Sequence, residues 1–329
     1  MSWTPWHDRL HRRLLQQPAL LPSGSRLLLA VSGGQDSMAL CALLTELVPL
    51  HQWDLTLWHG DHGWHPDSGR IATELSDWAR SHQLAIRIER AEPTAVASEA
   101  AARSWRYTCL MEQASAEQRD VVTGHTATDR AETLLLQMAR GTDLAGLGSL
   151  RPLRPLSAAA PEGPWLRRPL LSFSRHDTGA ICRDLTLPLW LDPSNADPAY
   201  ARNRVRLELL PVLEALHPGA ERRMADLAER LSQVQDTRQE LAELALQHLQ
   251  RPDGLDRRGL GRLSGSSRRQ LLALWLDQQG VTGCDAELLE ELSRRLALGA
   301  AGGGCDLPGG WRLSWQGNDL TLLPPAAAR

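Results

Sequence analysis

The sequence predicts an α/β fold over the first two thirds of the chain, a parallel sheet with helices on both faces, followed by a smaller, mainly helical C-terminal domain. Three observations predict it. Short apolar runs alternate with helical patterns from Leu27 to Leu185, as parallel strands joined by crossover helices do. The first run, Leu27 to Val31, reads as a buried strand and turns through Ser32-Gly33-Gly34 into an apolar helix around Met38 to Leu44. Beyond a break at Leu216-His217-Pro218-Gly219 the spacing is mostly helical.

The elements follow in order. Met1 to Leu21 reads as an amphipathic helix with Thr4 as its N-cap and Pro5 in the first turn. Its charged residues deny it the apolar core of a signal peptide. After the glycine turn, strands are expected at Asp54–His59, Leu84–Glu89 and Asp120–Thr123. Helices are expected at Ser68–His82, Ser98–Ala116, Asp129–Met138 and Ser174–Leu185. The stretch from Arg140 to Pro169, rich in Gly, Pro and Arg, reads as loop, and Asp192-Pro193-Ser194-Asn195 as a turn. Helices follow at Arg202–Leu216, Ala220–Gln250, Ser267–Gln279 and Ala286–Leu298, and Trp311 to Leu323 reads as a hairpin turning at Gly317-Asn318. The break places a domain boundary between 216 and 217, giving domains 1–216 and 217–329. No internal repeat is visible.

Composition removes several function classes. The 329 residues contain no lysine, so all 36 basic residues are arginine. A Walker A loop needs its lysine, and Schiff-base or pyridoxal chemistry needs a protein amine. The 39 acidic residues bring the net charge to −3, so nucleic-acid binding must use local patches. The use of Arg for Lys, and of Trp for Phe and Tyr, reads as codon bias. Cys41, Cys109, Cys182, Cys284 and Cys305 are scattered, with no C-x-x-C pair. That argues against a disulfide scaffold, a zinc ribbon or a ligated iron–sulfur cluster, and for a reducing cytoplasmic setting. No apolar run is long enough to span a membrane.

The candidate chemistry gathers at the carboxyl ends of the expected strands, where ligands of such sheets bind. Gly33 and Gly34 allow close backbone approach to a phosphate, and the helix start favours negative charge. Ser32 and Ser37 add hydroxyl donors. Asp36 beside phosphate calls for Mg²⁺ or a cationic substrate. His59-Gly60-Asp61-His62-Gly63 reads as a nucleotide-contacting loop, with a weak metal-ligand pattern or a plain turn as alternatives. Gly124-His125 closes the third strand. Asp129 and Glu132 share a helix face and need a cation, either Mg²⁺ or a substrate ammonium; a capping carboxylate with a surface Glu is the bland alternative. Arg103 and Arg106 likewise share a face, and solvated helix arginines are common. Arg202, Arg204 and Arg206 alternate around Asn203 as an anion-binding segment or a charged helix start.

Taken together, these stretches resemble the N-type ATP pyrophosphatases, whose PP-loop Ser32 to Ser37 matches. The ordered set resembles the tRNA(Ile)-lysidine synthetase family, in its short form. That set is the PP-loop, His59 to Gly63, Glu99-Ala100-Ala101 leading to Arg106-Tyr107, Gly124-His125 with Asp129 to Thr133, Arg140-Gly141, Arg168-Pro169-Leu170-Leu171, and Asp192 to Asn195 ahead of Arg202 to Arg206. The resemblance covers about two thirds of the chain. It departs at Thr128, where the family often carries Asp, and at Trp64, where an aliphatic residue is usual.

The resemblance implies an ATP-dependent ligase that joins free lysine to C2 of the wobble cytidine of a minor CAU-anticodon isoleucine tRNA, through an adenylated base, releasing pyrophosphate and then AMP. It implies ATP binding by Ser32, Gly33, Gly34, Gln35, Asp36, Ser37, His59, Asp61, His62, Gly124 and His125, with Mg²⁺ on Asp36. Catalytic roles fall to Asp36, Arg106, Asp129, Glu132 and Arg103, and the substrate lysine falls to Asp129 and Glu132. Arg168, Arg202, Asn203, Arg204 and Arg206, joined by Arg151, Arg154 and Arg167, are expected to meet tRNA phosphates. The C-terminal domain is expected to recognise tRNA, and the resemblance allows a homodimer. Rival readings are a tRNA thiolase, disfavoured by the missing cysteine pairs, an amidotransferase-type synthetase, and a non-enzymatic binding module.

Overall fold

A computed structural model describes residues 3–64, 66–190 and 200–325. Contacts divide the chain into two compact units, Met1–Ser232 and Gln233–Arg329.

The first unit runs α1 (Pro5–Gln16), β1 (Arg26–Ala30), α2 (Gln35–His51), β2 (Asp54–Asp61), α3 (Ser68–Ser81), β3 (Ala85–Arg90), α4 (Glu99–Glu117), β4 (Asp120–Val122), α5 (Ala127–Arg140), α6 (Leu144–Leu147), β5 (Leu153–Ser157), β6 (Ala160–Arg167) and α7 (Arg175–Asp184). A helical run follows, α8 (Ala201–Arg204), a π-helical turn (Val205–Leu209) and α9 (Leu210–Leu216), and then α10 (Ala220–Leu249), whose length spans the division between units. The expected Asp192–Asn195 turn lies outside the described residues.

The six-stranded sheet has the order β3-β2-β1-β4-β6-β5. All neighbours pair in parallel except β5 and β6. The apolar run Leu27–Ala30 of β1 follows from burial on both faces. Leu27 and Leu29 pack with Met38, Leu40 and Leu44 of α2 and Leu10 of α1. Leu28, pointing the other way, packs with Trp58, Leu110, Val121 and Leu166. The strand order reverses between β1 and β4, which lie side by side with Leu29 opposite Val122. A crevice at the carboxyl ends of such a pair is the standard ligand site of open α/β sheets.

Two local expectations change. The stretch 140–169, expected as loop, holds α6, β5 and β6, and β6 extends the sheet beside β4. Its prolines and glycine hide the alternation: Pro155 lies on the edge strand β5, and Pro161, Gly163 and Pro164 lie in the first part of β6, ahead of the Leu166 and Arg167 that pair with β4. The second is His59-Gly60-Asp61, which continues β2 rather than starting a loop. Gly60 and Asp61 stay in register with Glu89 and Arg90 of β3.

The expected turn at 217–219 is present between α9 and α10. The contact division nevertheless falls later, at 232/233. The first turns of α10 belong to the first unit, where Glu221 accepts from Thr128 Oγ1 (2.6 Å) and Glu229 from Arg130 Nη1 (2.7 Å).

The second unit contains the remainder of α10, β7 (Gln250–Arg251), β8 (Gly254–Asp256), α11 (Arg257–Gly261), α12 (Gly265–Gln278), α13 (Ala286–Arg295), β9 (Gly303–Asp306), β10 (Arg312–Gln316) and β11 (Asp319–Leu323). Helix predominates, and a five-stranded antiparallel sheet, β7-β8-β11-β10-β9, is added to it. The hairpin turning at Gly317-Asn318 is its centre, with Trp315 opposite Leu320. Leu246, Leu272, Trp275, Leu292, Leu313 and Leu320 form the unit's core.

Candidate active site

Loop Ser32–Gly34 carries the chain from β1 into α2. Gly33 lies at φ +81°, a conformation open to glycine. A Cβ there would also come within 3.2 Å of the Trp190 ring, whose backbone N–H donates to Gly33 O (3.0 Å). Gly34 is the N-cap of α2, and no side chain caps that helix. An anion is the natural partner of such an end. Ser37 is buried; its Oγ donates to Gly34 O (2.8 Å) and accepts from Ser32 N (3.2 Å). Ser32 Oγ accepts from Gly34 N (3.3 Å). Both hydroxyls therefore shape the loop.

Gly124, at the end of β4, abuts this loop. A Cβ on it would lie 2.9 Å from Asp36 O and 3.1 Å from Ser37 N. The absence of a side chain lets the end of β4 approach the first turn of α2.

Asp36 turns toward α7. Its carboxylate accepts from Arg175 Nη1 and from Thr178 Oγ1, each at 2.5 Å. Burial raises the Asp36 pKa, and Arg175 and Thr178 act against that rise. Gln35 Nε2 donates to Arg175 O (2.6 Å) and Thr178 Oγ1 (2.9 Å). Arg175, Thr178 and Trp190 were not singled out by the sequence. The Ser174-x-x-Asp177 capping box marks where α7 begins, but nothing local shows that its first turn meets the start of α2.

His59 is buried, and its Nδ1–H donates to Val31 O (2.8 Å). Burial lowers its pKa, so it is a neutral imidazole. Asp61 is 4% exposed and accepts from Gly63 N (2.8 Å), which gives it a turn-shaping position. His62 Nε2 accepts from Arg106 Nη2 (3.0 Å). Arg106 and Arg103 are both exposed on α4, with Arg103 over the Tyr107 ring at 5.2 Å. His125 Nδ1 lies 2.8 Å from Thr123 Oγ1 and accepts from Arg168 Nε (3.3 Å). Burial lowers its pKa to about 3; Asp129 opposes the shift, while Arg168, Arg202 and Arg103 add to it.

Asp129 and Glu132 share the first turns of α5. Asp129 is the N3 residue of a capping box, and its Oδ2 accepts from Thr126 N (2.7 Å) and Thr126 Oγ1 (2.8 Å). The capping role considered from sequence is real, yet Oδ1 remains for another partner. That partner is Arg202, whose Nη2 donates to Asp129 Oδ1 (2.9 Å) and whose Nε donates to Glu132 Oε2 (2.6 Å). Glu132 is 1% exposed, so it is no surface residue. The two environments push the carboxyl groups apart. Burial raises Glu132, only partly offset by Arg202. Burial would raise Asp129 too, but His125, Arg202 and the Thr126 hydrogen bonds outweigh it and hold it low.

The expected tRNA-phosphate set is largely turned inward. Arg168 is 2% exposed and donates to Arg151 O (2.7 Å); Arg167 is buried against Asp120 (2.6 Å) and the Ala19 and Leu20 carbonyls. Guanidinium groups satisfied in this way hold loops together. Arg202 is engaged by the acidic pair, Asn203 is buried and accepts from Arg206 Nη2, and Arg206 Nε lies 4.0 Å from Glu132. Arg204 alone of that segment faces outward, paired with Glu208 (3.2 Å). Thr128, in the position where Asp is frequent, accepts from Arg175 N (2.8 Å). A cavity of about 430 Å³ opens on the α7 side of the loop, lined by Gln35, Thr128, Arg175, His176, Arg206 and Glu221 among others.

Comparison with known proteins settles what the site belongs to. The PP-loop domain family matches residues 7–213, and the TilS substrate binding domain matches residues 255–321. The chain is 64% identical over 327 residues to tRNA(Ile)-lysidine synthase of Parasynechococcus marenigrum, covering 99% of this chain and 97% of that one. The chain belongs to the tRNA(Ile)-lysidine synthase family. A second member, from Prochlorococcus marinus, is 42% identical over 329 residues, covering 98% and 97%. The expected family, its ligase activity and its tRNA substrate class therefore stand, and the rival readings are not favoured. The U34-tRNA thiolase NcsA from Methanococcus maripaludis, solved with its [4Fe-4S] cluster, superposes with a TM-score of 0.58 at 18% identity over 69% of this chain and 78% of that one. It shares the fold. Among the described residues of the present chain no group of three or more His, Cys, Asp or Glu is placed to hold a metal, and no helix is long and apolar enough to cross a membrane.

Proposed function

We propose that the crevice between β1 and β4 carries out both halves of lysidine formation, with Asp129 and Glu132 as the lysine site. In the first half, O2 of the wobble cytosine attacks the α-phosphorus of ATP and pyrophosphate leaves. The uncapped start of α2 and the Ser32–Gly34 amides face the charge that develops on it. Arg106, exposed and joined to His62, is the arginine best placed to reach the adenylated base, with Arg103 one turn away. In the second half the ε-amine of free lysine attacks C2 and AMP departs with O2. Asp129, held low, stays ionised and grips the ammonium. Glu132, raised by burial, is the better base for the proton that the attacking amine must lose.

A single carboxylate at a phosphate loop suits Mg²⁺, which takes most of its ligands from phosphates and water. Asp36 would hold the ion once Arg175 releases it, and the bound ion would neutralise pyrophosphate charge. The second unit, matched by the substrate binding domain, is proposed to select the CAU-anticodon isoleucine tRNA, and the setting is the cytoplasm.

One observation carries the lysine assignment. The Asp129–Glu132 pair already grips an organic cation, Arg202, through two charge-assisted hydrogen bonds. The test is AMP release from ATP by the purified chain, with and without labelled lysine and a CAU-anticodon isoleucine tRNA transcript. AMP formed only when both are present, with label entering the tRNA, is the expected result. Lysine uptake without tRNA, or AMP release indifferent to lysine, would overturn the proposal.

A further inference from the structure

The cation in the acidic site belongs to the chain itself. Arg202 spends its Nε on Glu132 and its Nη2 on Asp129, at 2.6 and 2.9 Å. The second oxygen of each carboxylate is engaged as well: Asp129 Oδ2 by Thr126, and Glu132 Oε1 with Arg206 Nε at 4.0 Å. A buried Glu132 and a half-buried Asp129 facing two arginines are already balanced in charge. A substrate ammonium entering beside them would bring a third cation into a site where like charges repel strongly. Either Arg202 leaves or lysine does not bind.

Arg202 has somewhere to go. Its side chain is 32% exposed while Glu132 is 1% exposed, so the guanidinium sits on the solvent side of Glu132, beside the half-buried Asp129. A guanidinium also matches phosphate oxygens in a two-pronged geometry. The neighbouring Arg204 already faces outward, so RNA phosphates arriving at this segment would compete for Arg202 directly.

We infer that Arg202 is an exchangeable plug of the lysine site: it closes the Asp129–Glu132 pair in the RNA-free enzyme and is drawn off by substrate RNA phosphate, so that lysine binds after the tRNA. The inference rests on the assignment of lysine to Asp129 and Glu132. It makes Arg202 a positioning residue whose two sets of partners are used in turn. The order keeps a nucleophilic amine out of the crevice until the base to be modified is in place.

Equilibrium dialysis of labelled lysine against the full chain, with a non-hydrolysable ATP analogue and with or without the tRNA transcript, tests this. Wild-type protein is expected to bind lysine ~10-fold or more tightly when tRNA is present, a size usual for coupling between two ligands. Arg202→Gln is expected to bind lysine in the absence of RNA nearly as well as wild type does in its presence, with the RNA effect reduced below about threefold. Arg202→Lys, which restores a cation, is expected to restore the RNA dependence. Equal wild-type affinity with and without tRNA would overturn the inference. So would an RNA effect in Arg202→Gln as large as wild type's, or loss of lysine binding by Arg202→Gln under both conditions, which would make the arginine a permanent part of the site. Lysine incorporation into tRNA by the same wild-type preparation separates the two readings. Without incorporation the lysine assignment itself fails; with incorporation but RNA-independent binding, only the plug fails.

Discussion

Gly124→Ala tests the idea that the convergence of β4 and α2 builds the phosphate site. The added methyl would stand 2.9 Å from Asp36 O, 3.0 Å from Asp36 C and 3.1 Å from Ser37 N. All three are backbone atoms, so no side chain can swing away. Restoring ordinary contact requires the start of α2 or the end of β4 to move by about half an ångström, and overpacking of that kind costs ~1–3 kcal/mol. At roughly 2–4 °C per kcal/mol for a unit of this size, the thermal midpoint should fall by ~2–12 °C. The same displacement moves the amides proposed to face phosphate, so the KM for ATP in tRNA adenylation should rise. Gly69 supplies a control of opposite sign. It sits in the first turn of α3 with open space around its would-be Cβ and no positive φ. Gly69→Ala should leave KM alone and stabilise by up to ~1 kcal/mol through helix propensity and a less flexible unfolded chain. If Gly124→Ala matches wild type in both midpoint and KM, the close approach of β4 to α2 is not what shapes the loop.

The remaining predictions concern the carboxylates, a helix cap and pH. Glu132→Gln should lower kcat for lysine transfer by ~10²–10⁴-fold, the usual contribution of a general base, while adenylation of the tRNA continues; a preserved single-turnover rate of lysine transfer would assign the proton elsewhere. Asp129→Asn should act more on the KM for lysine, and an unchanged KM would count against its role as ammonium partner. Ser174 accepts from Asp177 N (3.1 Å) at the start of α7, so Ser174→Ala should cost ~1 kcal/mol and loosen the turn that holds Asp36, which titration calorimetry with ATP would register as weaker binding. His125 is pushed down to about 3 from 6.5, and burial also lowers His7 and His59. Depressed histidines bind fewer protons folded than unfolded, so their contribution is complete above pH 6.5 and is lost as pH falls from there toward the folded values. Thermal midpoints should therefore drop between pH 7.5 and pH 5, and less steeply in His125→Gln; an identical slope in the variant would remove His125 from that account.

The sequence by itself determined the α/β class, because buried parallel strands and amphipathic helices have different apolar periods that a single chain displays directly. It also determined the glycine turn from β1 into α2, since that turn is local and needs glycine at Gly33. The spacing of Asp129 and Glu132 on one helix face was equally legible. The tertiary structure alone decided which partners those groups have. Arg175 and Thr178 reach Asp36 from about 140 positions away in the chain, and Arg202 reaches Glu132 across 70. No local pattern encodes such distances. In a chain whose every cation is arginine, the residue type does not separate a guanidinium that meets solvent from one that ties loops together; burial does. That is why Arg167 and Arg168 proved to be internal braces and Arg204 an outward-facing one. Strands β5 and β6 were hidden for the same kind of reason: whether Pro155, Pro161 and Pro164 are tolerated depends on which strand positions pair, and β6 meets β4 only at Leu166 and Arg167, beyond its prolines.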